Sequence, residues 1–177
     1  VSLKTGVKVD KAQLDELAQS YEALFLSSGA DEHQELGIPG EDLDGVLRGL
    51  AFLRDAHKQV LANGAHVYVI GGGNTAIDAS RMALRAGAKS VTILYRRTKE
   101  QMPAFGDEVR EAEAEGVMIK ELVAPVAFLG RDRLAAIKLV PLKLGEPGMD
   151  GRPEPLPKGA QAEEIACDLV IVAAGQK

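Results

Sequence analysis

Three consecutive glycines, Gly71, Gly72 and Gly73, follow an apolar run and precede a helix-like pattern. In the spacing G-x-G-x-x-A, Gly71 permits a tight turn, Gly73 lets a pyrophosphate approach the backbone, and Ala76 lets the helix lie close to the strand. The free N–H groups at the start of such a helix attract phosphates. An ordinary glycine turn is the alternative interpretation. We predict a dinucleotide-binding loop made of Gly71, Gly72, Gly73, Asn74, Thr75 and Ala76.

A pair of arginines at the end of the next apolar run indicates which nucleotide is bound. Nicotinamide and flavin sites for unphosphorylated ribose carry a carboxylate at this position, whereas NADP sites carry an arginine nearby. Here Arg96 and Arg97 follow Tyr95, and the segment 81–100 contains six basic residues and one acidic residue. Guanidinium groups suit a bidentate grip on a phosphate dianion. We predict that Arg96 and Arg97 bind the 2′-phosphate of NADPH, with a solvated turn and NADH as the alternative.

No residues arranged for acid–base, nucleophilic or metal chemistry stand out in the sequence. His33, His57 and His66 are scattered and lack partners at metal-ligand spacing. Cys167 precedes an apolar strand, which favours a buried and inert thiol. The sequence therefore predicts a binding site without catalytic or metal-binding residues, as expected where cofactors carry out a hydride transfer and the protein positions them.

The composition excludes several classes of protein. The chain has 177 residues, 46% of them hydrophobic, and a net charge of −5, which argues against a nucleic-acid partner. No apolar run reaches the ~20 residues that span a bilayer. A single cysteine excludes disulfides within the chain and fits a reducing compartment, so we expect a cytoplasmic protein with no membrane partner.

The hydrophobic pattern from residue 63 onward predicts a nucleotide-binding α/β domain. A strand at 66–70, a helix at 74–86 and a strand at 90–95 form a βαβ unit with parallel strands. A helix at 105–115 follows. Strands at 117–119, 125–129 and 134–144 are expected to form an antiparallel meander, 145–159 a loop or irregular hairpin tip, and 168–174 a buried central strand.

The pattern before residue 63 is less regular. It predicts a strand or hairpin over 1–9, a helix over 11–20 capped by Asp10, a buried strand over 22–28, a loop over 31–45 and a helix over 46–61. The fold class predicted for the whole chain is α/β, a Rossmann-like three-layer domain with a central parallel sheet plus an antiparallel meander.

The chain resembles the glutamate synthase small (beta) subunit family, which includes the flavin half of dihydropyrimidine dehydrogenase and the large subunit of ferredoxin–NADP transhydrogenases. The most specific matching text is V-I-G-G-G-N-T-A-I-D-A-S-R at 69–81 and V-T-I-L-Y-R-R-T-K-E-Q-M-P-A at 91–104. G-I-P-G-E-D-L at 37–43, L-G-E-P at 144–147 and D-L-V-I-V-A-A-G-Q at 168–176 also match. The resemblance covers nearly the whole chain.

The resemblance implies an FAD-binding domain interrupted by an inserted NADPH-binding domain. On this basis 1–45 is the end of a first FAD-domain segment, 46–62 a linking helix and 63–177 the NAD(P)H-binding domain. The loop Gly71–Ala76 would hold the pyrophosphate and Arg96 and Arg97 the 2′-phosphate. The resemblance also places Ala174, Gly175 and Gln176 beside the nicotinamide. The stretch 25–30 departs from the family, because L-S-S-G-A replaces the usual A-T-G-A.

The function implied is hydride transfer from NADPH to FAD, with electrons passed onward through iron–sulfur clusters, in glutamate synthase to a large catalytic subunit. The FAD fingerprint and the iron–sulfur cysteines of the family are absent from this sequence. We therefore expect the chain to be an excised part that binds a nicotinamide nucleotide without holding FAD or turning over. The alternatives are an NADH-specific relative and a non-catalytic module for nucleotide sensing or subunit docking.

Overall fold

The computed structural model describes residues 2–27, 29, 35–55, 64–148, 151–159 and 161–175. The chain divides into two compact units, Val1–Asp31 and Glu32–Lys177. The resemblance predicts a different division, with the first FAD-domain segment ending at residue 45, and this division stays a prediction. Residues Leu36, Ile38 and Leu43, before that expected boundary, pack against a hydrophobic core of the second unit.

The first unit contains helix α1 (Lys11–Ser20), as the sequence predicted. Asp10 caps it: its carboxylate accepts from the Gln13 N–H at 2.9 Å, and the Gln13 side chain accepts from the Asp10 N–H at 3.1 Å. The predicted strands on either side are wrong within the described residues, since neither 2–9 nor 22–27 is extended in a sheet. Phe25, expected to be buried, is 93% exposed. An apolar run alone does not make a strand when no neighbouring strand is present to pair with it.

The second unit carries the remaining elements. In chain order they are β1 (Val46–Arg48), α2 (Gly49–Asp55), β2 (His66–Ile70), α3 (Asn74–Arg85), β3 (Ser90–Tyr95), a 3-10 turn (Lys99–Gln101), α4 (Gly106–Ala114), β4 (Met118–Glu121), β5 (Val123–Gly130), β6 (Leu134–Pro147), β7 (Pro153–Pro157), β8 (Glu163–Ala166) and β9 (Leu169–Val172).

A parallel sheet of five strands forms the middle layer, in the order β1-β9-β2-β3-β4. The βαβ prediction is confirmed, because β2 and β3 pair in parallel from His66 opposite Ser90 to Ile70 opposite Leu94. Strand β9 is buried along its whole length and lies between β1 and β2. Buried positions in consecutive residues are expected for a strand covered on both faces.

Helices α2, α3 and α4 cover one face of this sheet. Helix α3 buries one stripe of small and branched side chains, which include Ala76, Ile77 and Ala83. Phe52 of α2 and Val109 of α4 join the same core. None of the helices in the described part of the chain is long and apolar enough to cross a membrane.

An antiparallel sheet covers the other face and completes three layers. Its strands are ordered β5-β6-β7, with β8 also paired to β6. Phe128, Ile137 and Leu139 pack there against Val170 of the parallel sheet. The predicted three-layer α/β class is therefore confirmed, and 145–159 contains the hairpin that joins β6 to β7.

Two elements differ from the sequence prediction. Residues 46–48 form a strand that pairs with β9, and the helix begins only at Gly49; its expected continuation over 56–61 lies outside the described residues. Strand β4 belongs to the parallel sheet and not to the meander, since it pairs with β3 from Thr92 opposite Met118. Helix α4 is the crossover between these two strands, so the unit is a second βαβ.

Candidate functional site

Three loops meet at the carboxyl edge of the parallel sheet. The Gly71 N–H donates to the Leu94 carbonyl at 3.2 Å, and the Ala173 N–H donates to the Ile70 carbonyl at 2.8 Å. The segments that follow β9, β2 and β3 therefore lie side by side, one strand spacing of about 4.8 Å apart. Ligands of open α/β sheets bind outside this edge.

Gly71 is required by both its conformation and its surroundings. Its φ is +140°, and a Cβ at this position would lie 2.2 Å from the Ala173 carbonyl oxygen. Any side chain would push apart the segments that follow β2 and β9. The structure therefore requires glycine at the first position of the motif.

Gly72 makes room for the ring of Tyr95. A Cβ on Gly72 would lie 2.3 Å from the Tyr95 Cε2 atom. The ring is 5% exposed, and its hydroxyl donates to the Gln101 carbonyl at 2.9 Å. The Tyr95 ring thus packs against the glycine loop. This role was not predicted from the sequence, although Tyr95 ends a buried strand.

Gly73 leaves open space at the start of α3. It precedes the helix with φ −90°, and a Cβ here would meet nothing within 4 Å. No side chain caps α3, and its first turn carries no acidic residue. The first N–H groups of a helix have no partners within it, and its dipole favours an anion there. The loop and helix therefore fit a pyrophosphate.

Asn74, Thr75 and Ala76 each have a defined place. The Asn74 Oδ1 accepts from the Phe105 N–H at 3.0 Å, while the Ala104 N–H donates to the Gly72 carbonyl at 3.1 Å. The segment 102–105 is thereby fixed beside the glycine loop. The Thr75 methyl group packs near Gly49, and Ala76 is fully buried against the sheet.

The two arginines that follow β3 have different environments. Arg96 is exposed, and no hydrogen bond or ion pair to its side chain is seen among the described residues. Arg97 is 6% exposed, and its Nε donates to the Pro153 carbonyl at 2.9 Å. The sequence pattern predicted the same role for both. Only Arg96 has its guanidinium at the surface at the end of β3.

The residues expected near a nicotinamide follow β9. Ala174 and Gly175 are exposed directly after this strand, whereas Gln176 lies outside the described residues. A neighbouring pocket of about 470 Å³ is lined by residues that include Val172, Arg48 and Glu35. Neither Ala174 nor Gly175 lines this pocket.

The titratable groups elsewhere in the described residues do not form a reactive site. Burial, with the Asp168 carboxylate adding to it, raises the pKa of Cys167 to about 12, so the thiol is protonated at neutral pH. His66 lies at the amino edge of the sheet, where its Nδ1 is 2.7 Å from the Ser90 Oγ. The part of the chain that the structure describes holds no group of three side chains suited to a metal ion.

The sequence of this chain matches a known protein family. The sequence profile of the pyridine nucleotide-disulphide oxidoreductases matches residues 2–177. The chain belongs to this family. Its relatives include glutamate synthase small chains, so the resemblance to that group is confirmed.

Two oxidoreductase relatives illustrate the range within the pyridine nucleotide-disulphide oxidoreductases. The NADP(+)-dependent formate dehydrogenase subunit beta of Moorella thermoacetica is 40% identical over 99% of this chain and 26% of its own length. The glutamate synthase [NADPH] small chain of Halomonas elongata is 38% identical over 96% of this chain and 39% of its own length. The chain thus spans less than half of either relative.

A solved structure shares the fold of this family member. FprA of Mycobacterium tuberculosis in complex with NADPH superposes with a TM-score of 0.73 at 24% identity. The match covers 92% of this chain and 52% of FprA. The likeness supports the three-layer arrangement described above.

Proposed function

We propose that this chain is the NADPH-binding part of an FAD-dependent oxidoreductase that passes a hydride from NADPH to FAD. The uncapped start of α3 behind Gly73, at the carboxyl edge of the sheet, is the observation that carries the proposal. A surface arginine on one side and the segment after β9 on the other give the site two distinct ends.

The order of the strands suggests how the nucleotide would lie. The pyrophosphate would rest on the N–H groups of Gly73, Asn74 and Thr75 at the end of β2. Arg96 at the end of β3 would pair with the 2′-phosphate, as a planar guanidinium can do bidentately. Ala174, Gly175 and Gln176 would border the nicotinamide on the opposite side.

The chain's own residues would bind and orient, while hydride donation from the reduced nicotinamide to a flavin would be supplied by the cofactors. Gly71 and Tyr95 keep the loop in place, so the phosphates meet a preformed site. A site organised before binding does not spend binding energy on ordering itself.

The remaining parts of the protein follow by analogy with the relatives. We propose that FAD is held by segments outside this chain, and that 1–31, with its exposed Phe25 and Leu26, belongs to that FAD-binding domain. The relatives are named as subunits or chains of larger enzymes. We therefore propose a cytoplasmic partner subunit that takes the electrons, either an iron–sulfur protein or a large catalytic subunit as in glutamate synthase.

A titration of the purified protein with NADP⁺ and NAD⁺ tests the proposal. Calorimetry should show tighter binding of NADP⁺, and Arg96→Gln should weaken it at least about tenfold while leaving NAD⁺ binding within about twofold. Equal affinities in the unsubstituted protein would contradict the NADPH assignment. Binding of neither nucleotide would contradict the proposal as a whole.

One observation favours the NADH-specific alternative. Arg97 is occupied with Pro153, so the site presents one surface arginine at this position and not two. The same titration separates the alternatives, because an NADH site would bind NAD⁺ at least as tightly as NADP⁺.

A further inference from the structure

Arg97 connects two parts of the second unit that are far apart in the sequence. Its side chain is nearly enclosed, and its Nε donates to the Pro153 carbonyl at 2.9 Å. Pro153 is the first residue of β7. The bond therefore joins the end of β3 to the hairpin formed by β6 and β7.

Backbone contacts strengthen the same connection. The Leu122 N–H donates to the Arg97 carbonyl at 3.3 Å, and the Leu142 N–H donates to the Leu122 carbonyl at 2.7 Å. The hairpin itself is closed by pairing of Leu142 with Pro157 and of Pro147 with Pro153. Residue 97 thus contacts β7 directly and β6 through Leu122.

The burial of Arg97 fits a structural contact with the Pro153 carbonyl better than contact with a ligand at the surface. A buried guanidinium needs hydrogen-bond acceptors, and backbone carbonyls supply them. Its neighbour Arg96 projects from the same strand end but is exposed. Both arginines lie in the bend that follows β3, where one side chain is exposed and the other is buried.

We propose that Arg97 is a positioning residue that fastens the β6–β7 hairpin to the end of β3, while Arg96 alone of the pair binds the 2′-phosphate. The hairpin then forms a wall at the adenosine end of the nucleotide site. The ligand named here rests on the proposed function, whereas the attachment of the hairpin does not.

The test compares Arg96→Gln, Arg97→Gln and Arg97→Lys, with the exposed turn residue Arg131→Gln as a matched control. Calorimetry with NADP⁺ and NAD⁺ gives the ratio of affinities. Hydrogen exchange without nucleotide reports on the amides of Glu154, Leu156 and Lys158, which are the residues of 154–158 that carry an N–H. Arg96→Gln should lower the NADP⁺/NAD⁺ affinity ratio at least about tenfold and leave this exchange unchanged. Arg131→Gln should change neither measurement.

Arg97→Gln should accelerate exchange at 154–158 and keep the affinity ratio within about threefold of the unsubstituted protein, because a uniform loss of contacts affects both nucleotides. Arg97→Lys retains a donor for the Pro153 carbonyl and should restore slow exchange. If Arg97→Gln is too unstable to purify, the NADP⁺/NAD⁺ affinity ratio is measured on Arg97→Lys instead.

Two results would overturn the inference. One is a loss of the NADP⁺/NAD⁺ ratio in either Arg97 variant as large as that of Arg96→Gln. The other is unchanged exchange at 154–158 in Arg97→Gln. If the unsubstituted protein binds neither nucleotide, the proposed function fails, and the exchange measurements still decide whether Arg97 anchors the hairpin.

Discussion

The three glycines of the loop have three different surroundings. Gly71 adopts a φ that favours glycine and faces a carbonyl oxygen, Gly72 faces an aromatic ring, and Gly73 faces open space. A Cβ at either of the first two positions would clash with neighbouring atoms. The third is free of neighbours within the described residues, so its small size points to a ligand.

A matched pair of substitutions should separate their roles. Gly71→Ala introduces a Cβ 2.2 Å from the Ala173 carbonyl oxygen at φ +140°, and we expect a loss of about 3 kcal/mol or more in unfolding free energy. Gly73→Ala should cost less than about 1 kcal/mol, as expected for an N-cap position. It should nevertheless weaken NADP⁺ binding at least about tenfold. Urea denaturation and calorimetry give the two quantities, and normal binding by Gly73→Ala would contradict the assigned role.

Cys167 provides a second prediction for a single residue. Because burial raises its pKa to about 12 from the ordinary 9.0, the thiolate is scarce at pH 8. We expect a disulfide reagent to label the folded protein at least about 100-fold more slowly than the protein in urea. Labelling that is equally fast in both states would show that the thiol is accessible.

At this scale the sequence predicted the glycine loop well, because strand, turn and helix are adjacent in the chain. It did not distinguish Arg96 from Arg97. Their difference arises from Pro153, which lies on a hairpin far along the chain, and no local pattern carries that contact. The supporting role of Tyr95 was missed for the same reason, since Gly72 comes close to its ring only after β2 and β3 pair.

Among the helices and strands, a group of ion pairs ties α3 to the end of α4. The Arg81 side chain contacts Glu115 and lies 3.1 Å from the Glu111 carboxylate, and Arg85 lies 3.1 Å from Glu115. The hydrogen bond from Arg81, followed by the charges of Arg81 and Arg85, lowers the pKa of Glu115. The start of α3 lies at the glycine loop, so this contact helps to fix the helix that we propose to carry the phosphates.

The lowered pKa of Glu115 predicts a pH dependence of stability. Its contribution is present above the ordinary glutamate pKa of 4.5 and is lost as the pH falls through the lower pKa of the folded state. The melting temperature of Glu115→Gln should therefore be lower than that of the unsubstituted protein at pH 7. This difference in melting temperature should shrink as the pH falls below 4. The exposed Glu146→Gln serves as control. A difference in melting temperature that stays constant from pH 7 to pH 3 would rule out the contribution of Glu115.

In the second unit, the sequence prediction of the fold was wrong at two short edge elements. Strand β1 has three residues and runs directly into α2, so its apolar residues fitted a helical stripe equally well. Strand β4 has four residues, too few to show a period that separates a parallel edge strand from a meander strand. Both errors concern strands whose partners, β9 and β3, are defined only by the folded sheet.

On the scale of the whole molecule, the two units differ in how they are stabilised. The second unit has two hydrophobic cores on the two faces of one sheet. The first unit has a helix of 10 residues with no buried side chain. Isolated helices shorter than about 12–15 residues are marginal in water, so capping alone is expected to hold α1 weakly.

Hydrogen exchange should show this difference directly. We expect the amides of α1 to exchange within seconds at neutral pH and those of α3, which buries five side chains, at least about 100-fold more slowly. Mass spectrometry of peptides covering the two helices measures both rates. Protection of α1 comparable to that of α3 would show that a further surface covers it.

Strand β9 has a consequence for how the protein is made. It pairs with both β1 and β2. The residue after it, Ala173, lies directly against Gly71. A growing polypeptide that has not yet reached residue 169 therefore lacks the centre of its sheet, although its glycine motif was synthesised long before. Pairing between segments so distant in the chain delays folding. Ribosome-bound chains that stop at Gln161 should not bind NADP⁺, whereas those extended beyond Lys177 by a tunnel-length linker should, so the site would become competent only in the last stretch of translation of this segment.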